Sequence, residues 1–273
     1  MAKKALAHPA PYNVYALRYA TLATTRQDVY FDYSTYGESD GPLQMDYYFW
    51  LLTNQDHTIL VDTGFNEAAG RRRGRTLLTP TDQALKTMGV SPSDVDLIIV
   101  SHMHYDHIGN LALFPNAAIA VARSELEFWT GPFANRPQFM KSTELNEIQY
   151  LQSLVETGRV SLLEADQEIA PGVEVRIVGG HTPGQLIVLV KAEEAPIVLA
   201  SDSLHFYEEV ERDRPFHVLF HLEDMYKTYE LLRELESQHG ALIVAGHDPE
   251  VMNRFPPLPG PLGRGVQIAA EPS

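Results

Sequence analysis

The ends of the apolar runs constrain the fold of this sequence more than any other feature. Runs rich in β-branched residues indicate buried strands, and four of them end in a small residue that a His or an Asp then follows. These four are His102, His181, Asp202 and His247, and a fifth run leads directly into Asp62. A rigid sheet holds side chains at strand ends and lets them project into a cleft. Five such positions therefore predict one shared site.

The apolar pattern predicts a layered α/β protein. Eight runs read as strands, and they occur in both halves of the chain with helical patterns between them, which favours sheets covered by helices over an all-β fold. The predicted strands cover 47–52, 58–61, 97–100, 118–121, 173–178, 186–190, 197–199 and 242–244. The predicted helices cover 81–88, 144–157 and 222–237. The Pro- and Gly-rich tail 256–273 is expected to lie along the surface.

Length and charge limit the class of protein. With 273 residues, of which 44% are hydrophobic, the chain is expected to form one domain over 1–273. A formal net charge of −15 makes nucleic acid an unfavourable partner, because a phosphate backbone needs a basic face. Residues 1–20 lack a continuous apolar region, and no stretch is long enough for a membrane span. We therefore expect a cytoplasmic protein with no membrane partner, and the sequence leaves a homodimer open.

The sequence contains no cysteine, so a metal site must use imidazole and carboxylate ligands. In the run 102–107, His102 and His104 are two residues apart, and an extended segment would point both to the same side. Asp106 and His107 are adjacent and reach a second position only if the chain bends. The run thus predicts half-sites for two divalent ions. We expect zinc, and the ligand types also suit manganese, cobalt or iron.

The run 102–107 and three later segments resemble the signature of the metallo-β-lactamase superfamily. The run has the pattern H-x-H-x-D-H, and the segments 180–184, 201–202 and 246–247 follow in the order that is typical of the family. The resemblance covers roughly 47–248. It implies an α/β fold, an αββα sandwich with the metal site at one edge between two sheets.

The same resemblance implies a ligand set. It makes Asp202 a bridge between two ions, and Asp62 a structural aspartate that supports the ligand loop. One ion is implied to bind His102, His104 and His181. The other is implied to bind Asp106, His107 and His247.

Within the superfamily, the segment 101–110 looks most like the N-acyl homoserine lactonases and their relatives. This implies that a metal-bridging hydroxide opens the ester of a small lactone, acyl-homoserine-lactone-like or pyridoxolactone-like, with Asp106 shuttling the proton. Those lactonases usually carry a Tyr three residues after the bridging Asp, where it contacts the substrate carbonyl. His205 occupies that position here, and we expect it to orient the carbonyl or to assist the oxyanion.

Other functions remain open at this point. A thioester, phosphodiester or β-lactam hydrolase would use the same two metals, and a sulfur dioxygenase of this superfamily would use one iron. A binding module that has kept the fold is a non-enzymatic alternative, but the presence of all seven ligand positions argues against it. Metal content and a substrate screen distinguish these functions.

Three weaker features have two interpretations each. The basic run 71–75 is expected to be a solvated loop, and the alternative is an Arg that pairs with an anionic substrate group. His217 and His221 are four residues apart near a predicted helix start and could share one face of it, but we expect a surface role for both. An aromatic group either lines an apolar pocket or lid, or packs in the core or a dimer interface. This group comprises Phe128, Trp129, Phe133, Phe139 and Met140.

Overall fold

The computed structural model describes residues 11–192, 195–258 and 265–269. Each helix in these ranges is too short or too polar to span a membrane. The strands are β1 Asn13–Thr25, β2 Pro42–Thr53, β3 Thr58–Val61, β4 Thr76–Leu77, β5 Leu97–Ile99, β6 Ala118–Ala122, β7 Val160–Leu163, β8 Gln167–Ala170, β9 Val173–Ile177, β10 Leu186–Val190, β11 Ile197–Ser201, β12 Leu242–Ala245 and β13 Gly265–Ala269. The α-helices are α1 Arg26–Val29, α2 Glu67–Arg72, α3 Thr81–Thr87, α4 Tyr105–Ile108, α5 Arg123–Trp129, α6 Pro137–Met140, α7 Leu145–Glu156, α8 Tyr207–Arg212, α9 Leu222–His239 and α10 Val251–Arg254. Short 3-10 helices cover Tyr33–Tyr36, Pro92–Asp94 and Leu111–Leu113.

The eight predicted strands and three predicted helices are all present, as β2, β3, β5, β6 and β9 to β12 and as α3, α7 and α9. The prediction for the tail is wrong at residues 265–269, which form β13. This strand pairs antiparallel with β1, and Val266, opposite Ala16, is completely buried. Residues 259–264 and 270–273 of the tail lie outside the described residues.

Two sheets bring the ends of distant strands together. The larger sheet has the order β13-β1-β2-β3-β5-β6-β7, with β4 paired to β1, and the smaller sheet has the order β12-β11-β10-β9-β8. Strands β3, β5 and β6 are parallel to one another, and β11 is parallel to β12. Parallel strands end at the same edge of a sheet. The residues that follow β3 and β5 therefore meet, and so do those that follow β11 and β12.

Side chains of β2 alternate between two apolar cores, because successive residues of a strand face opposite sides of the sheet. Trp50 belongs to the core shared with the smaller sheet, whereas Phe49 belongs to the core shared with α3, α5 and α7. Helix α9 packs against the smaller sheet through Met225, Tyr229 and neighbouring residues. The order of layers is helix, sheet, sheet, helix, which confirms the predicted αββα sandwich.

Backbone hydrogen bonds join the two sheets at the edge where the predicted ligands lie. The Leu186 N–H, at the start of β10, donates to the Ser101 carbonyl oxygen after β5 at 2.8 Å. The Asp46 N–H in β2 donates to the carbonyl oxygen of His247, after β12, at 2.9 Å. The loops that carry the predicted ligands are therefore tied to both sheets.

Candidate metal centre

The run 102–107 bends where the sequence requires it to bend. Helix α4 begins at Tyr105, and the preceding residue, His104, has extended backbone angles of φ −73° and ψ 157°. His102 and His104 point to the same side before the bend, with ring centroids 4.6 Å apart. Asp106 and His107 lie in the single turn of α4 and face a second position. The run thus supplies two half-sites, as predicted.

The seven predicted ligands gather into two groups. Within each group the possible ligand atoms lie within 4.8 Å of one another, and every member is buried. The first group is His102, His104, His181 and Asp202. The second group is Asp106, His107 and His247.

Asp202 offers one carboxylate oxygen to each group. Its Oδ2 lies 3.2 Å from His181 Nε2 and 3.6 Å from His102 Nε2. Its Oδ1 lies 3.2 Å from His107 Nε2 and 3.1 Å from His247 Nε2. A single carboxylate thus stands between the two groups, in the position that a bridge between two ions requires.

The donor set fits divalent metal ions. His102 Nε2 and His107 Nε2 are buried without a hydrogen-bond partner among the described residues, although buried ring nitrogens are normally paired. Burial lowers the pKa of the His102 and His104 rings well below its usual value, and it lowers the pKa of the His181 ring as well. Neutral imidazole is the form that binds a metal. The buried, neutral rings of His102, His104 and His181 beside Asp202 therefore match the ligand chemistry of a transition-metal site. Burial disfavours the charged form of His107, but the neighbouring Asp202, Asp62 and Asp106 outweigh burial and raise the pKa of His107 well above its usual value.

Asp62 orients two of these rings from behind. Its Oδ2 accepts a hydrogen bond from His107 Nδ1 at 2.7 Å. The Ser101 N–H donates to Asp62 Oδ1 and the Ser101 hydroxyl to Oδ2, both at 2.8 Å, and that hydroxyl lies 3.1 Å from His102 Nδ1. With the Nδ1 side of each ring occupied, Nε2 is left to face Asp202, which is how outer residues typically orient metal ligands. Asp62 does this with φ at +64°, and Ser201 beside it has φ at +46°.

Glu125 is a buried part of the site that sequence reasoning missed. It lies on α5 and is completely inaccessible to solvent. Its Oε1 accepts from the Met103 N–H at 2.9 Å and from Trp129 Nε1 at 2.6 Å, and its Oε2 accepts from the Gly184 N–H at 2.8 Å. One carboxylate thus joins the loop of His102 to the loop of His181. Its isolated position in the sequence gives no signal of this role.

Two cavities open over the metal centre. The first, here called the basic cavity, has a volume of about 290 Å³. His104, Asp106, His181 and Asp202 form its floor. Its other walls include Met45, Tyr47, Arg73, Arg75, Tyr105, Lys141, Phe216 and His217. A molecule in this cavity would contact both groups of ligands.

The second cavity, here called the aromatic cavity, has a volume of about 200 Å³ and shares His104 and His181 with the first. Phe128, Phe139 and Phe220 lie in its walls with ring centroids 5.0 to 5.8 Å apart. Trp129 lines it as well, whereas Phe133 and Met140 are exposed. Three members of the predicted aromatic group therefore line an apolar pocket, and two do not.

His205 lies behind Asp202. It is completely buried, with Nε2 3.1 Å from Asp202 Oδ2 and Nδ1 3.4 Å from Glu209 Oε1. Burial disfavours its charged form, but these two carboxylates outweigh burial and raise the pKa of His205 to about 9. The Phe216 ring stacks on His205 at 3.7 Å between centroids, and it is Phe216 that lines the basic cavity. His205 is therefore placed to contact Asp202, and its position gives no support to the expected contact with the carbonyl group of a substrate.

The remaining basic and His residues are divided between the surface and the basic cavity. Arg71 is exposed and pairs with Glu67, whereas Arg75 is half-buried and lines the basic cavity. His217 and His221 are both exposed, as predicted. His217 also lines both cavities, and the sequence contains no pattern that predicts this position.

Known proteins resemble this chain over the part that holds the centre. The sequence profile of the metallo-beta-lactamase superfamily matches residues 46–247. The N-acyl homoserine lactonase AiiA of Bacillus thuringiensis subsp. kurstaki is 29% identical over 223 residues, which are 76% of this chain and 83% of that protein. An N-acyl homoserine lactone hydrolase, solved with the product N-hexanoyl-L-homoserine at its catalytic metal centre, is 25% identical with a TM-score of 0.72, covering 90% of this chain and 97% of that one. The structure of a quorum-quenching N-acyl homoserine lactone lactonase is 27% identical with a TM-score of 0.70, and the match covers 88% of this chain and 93% of that one.

Proposed function

We propose that this chain, which belongs to the metallo-beta-lactamase superfamily, hydrolyses the ester of a small lactone at a centre of two divalent metal ions. The similar proteins named above act on N-acyl homoserine lactones. A lactone of that kind, or a small bicyclic lactone such as pyridoxolactone, is the substrate class that we assign to this site. We favour zinc as the metal, since imidazole and carboxylate ligands suit it.

The position of Asp202 carries the proposal. Its two oxygens lie 3.1 to 3.6 Å from the Nε2 atoms of His102, His107, His181 and His247. A carboxylate serving a single ion has no need to place its second oxygen against a separate pair of imidazoles. We therefore infer a bridging role for Asp202. One ion would bind His102, His104 and His181, and the other would bind Asp106, His107 and His247.

The metal ions, when bound, would lower the pKa of a shared water and stabilise the developing oxyanion electrostatically. The other steps belong to side chains. Asp106 lines the basic cavity at the edge of the second group, with Oδ1 3.8 Å from His107 Nε2 and Oδ2 3.9 Å from His247 Nε2. From that position it can take the proton of the attacking water and return it to the leaving alkoxide oxygen when the ester C–O bond breaks. Asp62 keeps His107 in the orientation that the reaction needs.

The two cavities provide room for the parts of the lactone that do not react. The ester ring would lie over the four residues of the shared floor, and an apolar substituent would extend between the aromatic rings around Phe128. Pockets of this kind combine an apolar wall with a few fixed polar groups. Water is displaced from the ring in the process, which strengthens its electrostatic contacts with the centre.

The test combines metal analysis with hydrolysis. Protein reconstituted with zinc is assayed against N-hexanoyl-L-homoserine lactone, pyridoxolactone and a thioester, with acid release followed by a pH indicator. We expect two zinc ions per chain and turnover of at least one lactone. Asp202→Ala should lose turnover and metal, while His221→Ala, a matched change at an exposed His, should keep both.

Two results would contradict the proposal. A single iron per chain with oxidation of a sulfur compound would indicate a dioxygenase. Rapid cleavage of the thioester without turnover of any lactone would indicate a different hydrolase on the same centre.

A further inference from the structure

The basic cavity differs in charge from the rest of the molecule. The whole chain has a formal net charge of −15. Nevertheless, Arg73, Arg75 and Lys141 all lie in the walls of this one cavity. Outside the metal centre, the wall has one carboxylate, that of the exposed Asp28. A cavity of this kind concentrates positive potential beside the reacting position.

Two of the three cations have no carboxylate partner. Arg71 pairs with Glu67 at 2.6 Å, and Arg72 and Arg73 both pair with Glu144, at 2.7 and 3.1 Å. Among the described residues no carboxylate lies within ion-pair distance of Arg75, and the same holds for Lys141. In the run 71–75, Glu67 and Glu144 thus pair with Arg71, Arg72 and Arg73, whereas Arg75 in the cavity wall has no ion-pair partner among the described residues.

Arg75 is held in a fixed orientation. Its Nε donates to the Tyr105 hydroxyl at 3.0 Å, and one terminal nitrogen donates to the Arg73 carbonyl oxygen at 2.6 Å. Arg73 in turn stacks over the Tyr105 ring, 4.0 Å from its centroid. A guanidinium whose position is already fixed loses little conformational entropy when it binds an anion. Exposed Lys141, on the same wall, adds a mobile second charge.

From this arrangement we infer that the natural substrate is a lactone that carries a carboxylate, which Arg75 and Lys141 bind in the basic cavity while the ester lies over the metal centre. This inference rests on the proposed function, since it names the class of lactone that the same site takes. Charge-assisted hydrogen bonds between guanidinium and carboxylate supply both affinity and orientation. An uncharged acyl chain would offer neither cation a counter-ion.

Three lactones that differ at one end of the acyl group test this inference. N-adipoyl-L-homoserine lactone ends in a carboxylate, its amide analogue ends in a carboxamide of the same shape, and N-hexanoyl-L-homoserine lactone ends in a methyl group. On the zinc-loaded protein we expect kcat/KM for the carboxylate to exceed that for the carboxamide by about tenfold or more. Added salt should reduce this ratio.

Charge variants assign the preference to the cavity. Lys141→Gln and Arg75→Gln should each reduce the ratio of carboxylate to carboxamide, and the double variant should abolish it while the N-hexanoyl lactone is still hydrolysed. Arg71→Ala is the matched control, because Arg71 is exposed and outside both cavities. If Arg75→Gln fails to fold, the exposed Lys141→Gln still tests the inference.

A binding measurement gives a second readout that does not depend on turnover. Titration calorimetry of the zinc-loaded protein with the lactam analogue of the adipoyl compound should show binding that the double variant weakens about tenfold or more. Equal kcat/KM for carboxylate and carboxamide in the wild type would overturn the inference and leave the lactonase proposal standing. A preference that survives the double variant would overturn it as well. Failure to hydrolyse any of the three lactones would overturn this inference, and it would overturn the proposed function as well if pyridoxolactone is not turned over either.

Discussion

Glu125 and Gly184 are in direct contact across two loops of the metal centre. The Gly184 N–H donates to Glu125 Oε2 at 2.8 Å, and a Cβ atom at residue 184 would lie 2.5 Å from Glu125 Cβ. No side chain at residue 184 fits without movement of one of the two segments. The contact therefore requires glycine at residue 184 and a carboxylate at residue 125.

Glu125→Ala should destabilise the protein and loosen the metal centre. The change leaves the Met103 and Gly184 N–H groups and Trp129 Nε1 without their acceptor in a buried site. Unsatisfied buried donors cost about 1–3 kcal/mol each, so we expect a loss of about 3 kcal/mol or more. Denaturant unfolding measures the free energy, and metal analysis after dialysis measures retention. Glu127→Ala, an exposed position on the same helix, is the control, and equal stability of the two variants would refute this role of Glu125.

His205→Ala should lower kcat while leaving KM nearly unchanged. His205 lies 3.1 Å from Asp202 Oδ2 and outside the cavity walls, so its removal frees the carboxylate without removing a contact to substrate. Outer residues that orient metal ligands typically contribute about 10- to 100-fold to activity or metal affinity. Steady-state kinetics and metal content on the same preparation test this. A change confined to KM would place His205 in contact with the substrate, and unchanged kinetics would remove it from the mechanism.

Stability should fall as pH rises towards 7 because of Glu147. Burial, and after it the neighbouring Glu144, raise the pKa of Glu147 from 4.5 to about 7. The folded state therefore holds this proton more tightly than the unfolded state does. The resulting stabilisation is complete below about pH 4.5 and is lost as pH rises through 7, by about 1 kcal/mol or more.

Glu147→Gln tests this pH dependence. The amide cannot ionise, so the variant should be more stable than the wild type at pH 8 and should lose less stability between pH 5 and pH 8. Urea unfolding at both pH values measures the difference. Glu156→Gln, at an exposed position of the same helix, should behave as the wild type does. A Glu147→Gln variant with the pH dependence of the wild type would disprove the assignment.

Removal of metal should destabilise the folded chain. A ligand that binds only the folded state adds about 4 kcal/mol at a thousandfold excess over its Kd. The buried nitrogens His102 Nε2 and His107 Nε2 also regain a partner when an ion binds. Calorimetry should show a lower Tm after chelation and recovery with zinc, with a smaller recovery in His247→Ala. A Tm that chelation does not change would contradict a metal centre at these residues.

The ligand positions could be predicted because their signal is local. Four of the seven follow an apolar run, namely His102, His181, Asp202 and His247. The spacing within 102–107 indicates two half-sites and a bend, and the family resemblance implied which ligands share an ion. The layered α/β class follows from the order of strand and helix patterns, whereas the αββα sandwich was implied by the family resemblance, because residues 47–52 of β2 are all apolar and show no alternation in the sequence. Strand β1 was harder to predict because Arg18 interrupts its apolar pattern and the pairing with β2 shifts register between Arg18 and Ala20.

The remaining features depend on contacts that no local pattern contains. The sequence around Glu125 and Glu127 does not distinguish the two residues. Glu125 becomes a buried hydrogen-bond acceptor only because the Met103 and Gly184 N–H groups approach it in the folded chain. The burial of His205 likewise depends on the segment that contains Phe216, whose ring stacks on the His205 ring. Arg75 differs from the neighbouring Arg72 and Arg73 in having no carboxylate partner, and this difference is visible only in the structure, where Glu144 pairs with the other two.

The left-handed backbone at Asp62 and Ser201 has a consequence for how this protein changes over time. Both are non-glycine residues with positive φ, at +64° and +46°, and their side chains meet at 3.3 Å beneath the metal ligands. Such conformations cost about 1–3 kcal/mol each and persist only where the surroundings enforce them. Glycine at residue 62 would relieve the backbone strain but would leave the Ser101 N–H and His107 Nδ1 without their acceptor. Substitutions that remove this strain should therefore persist only in lineages that have lost the metal centre.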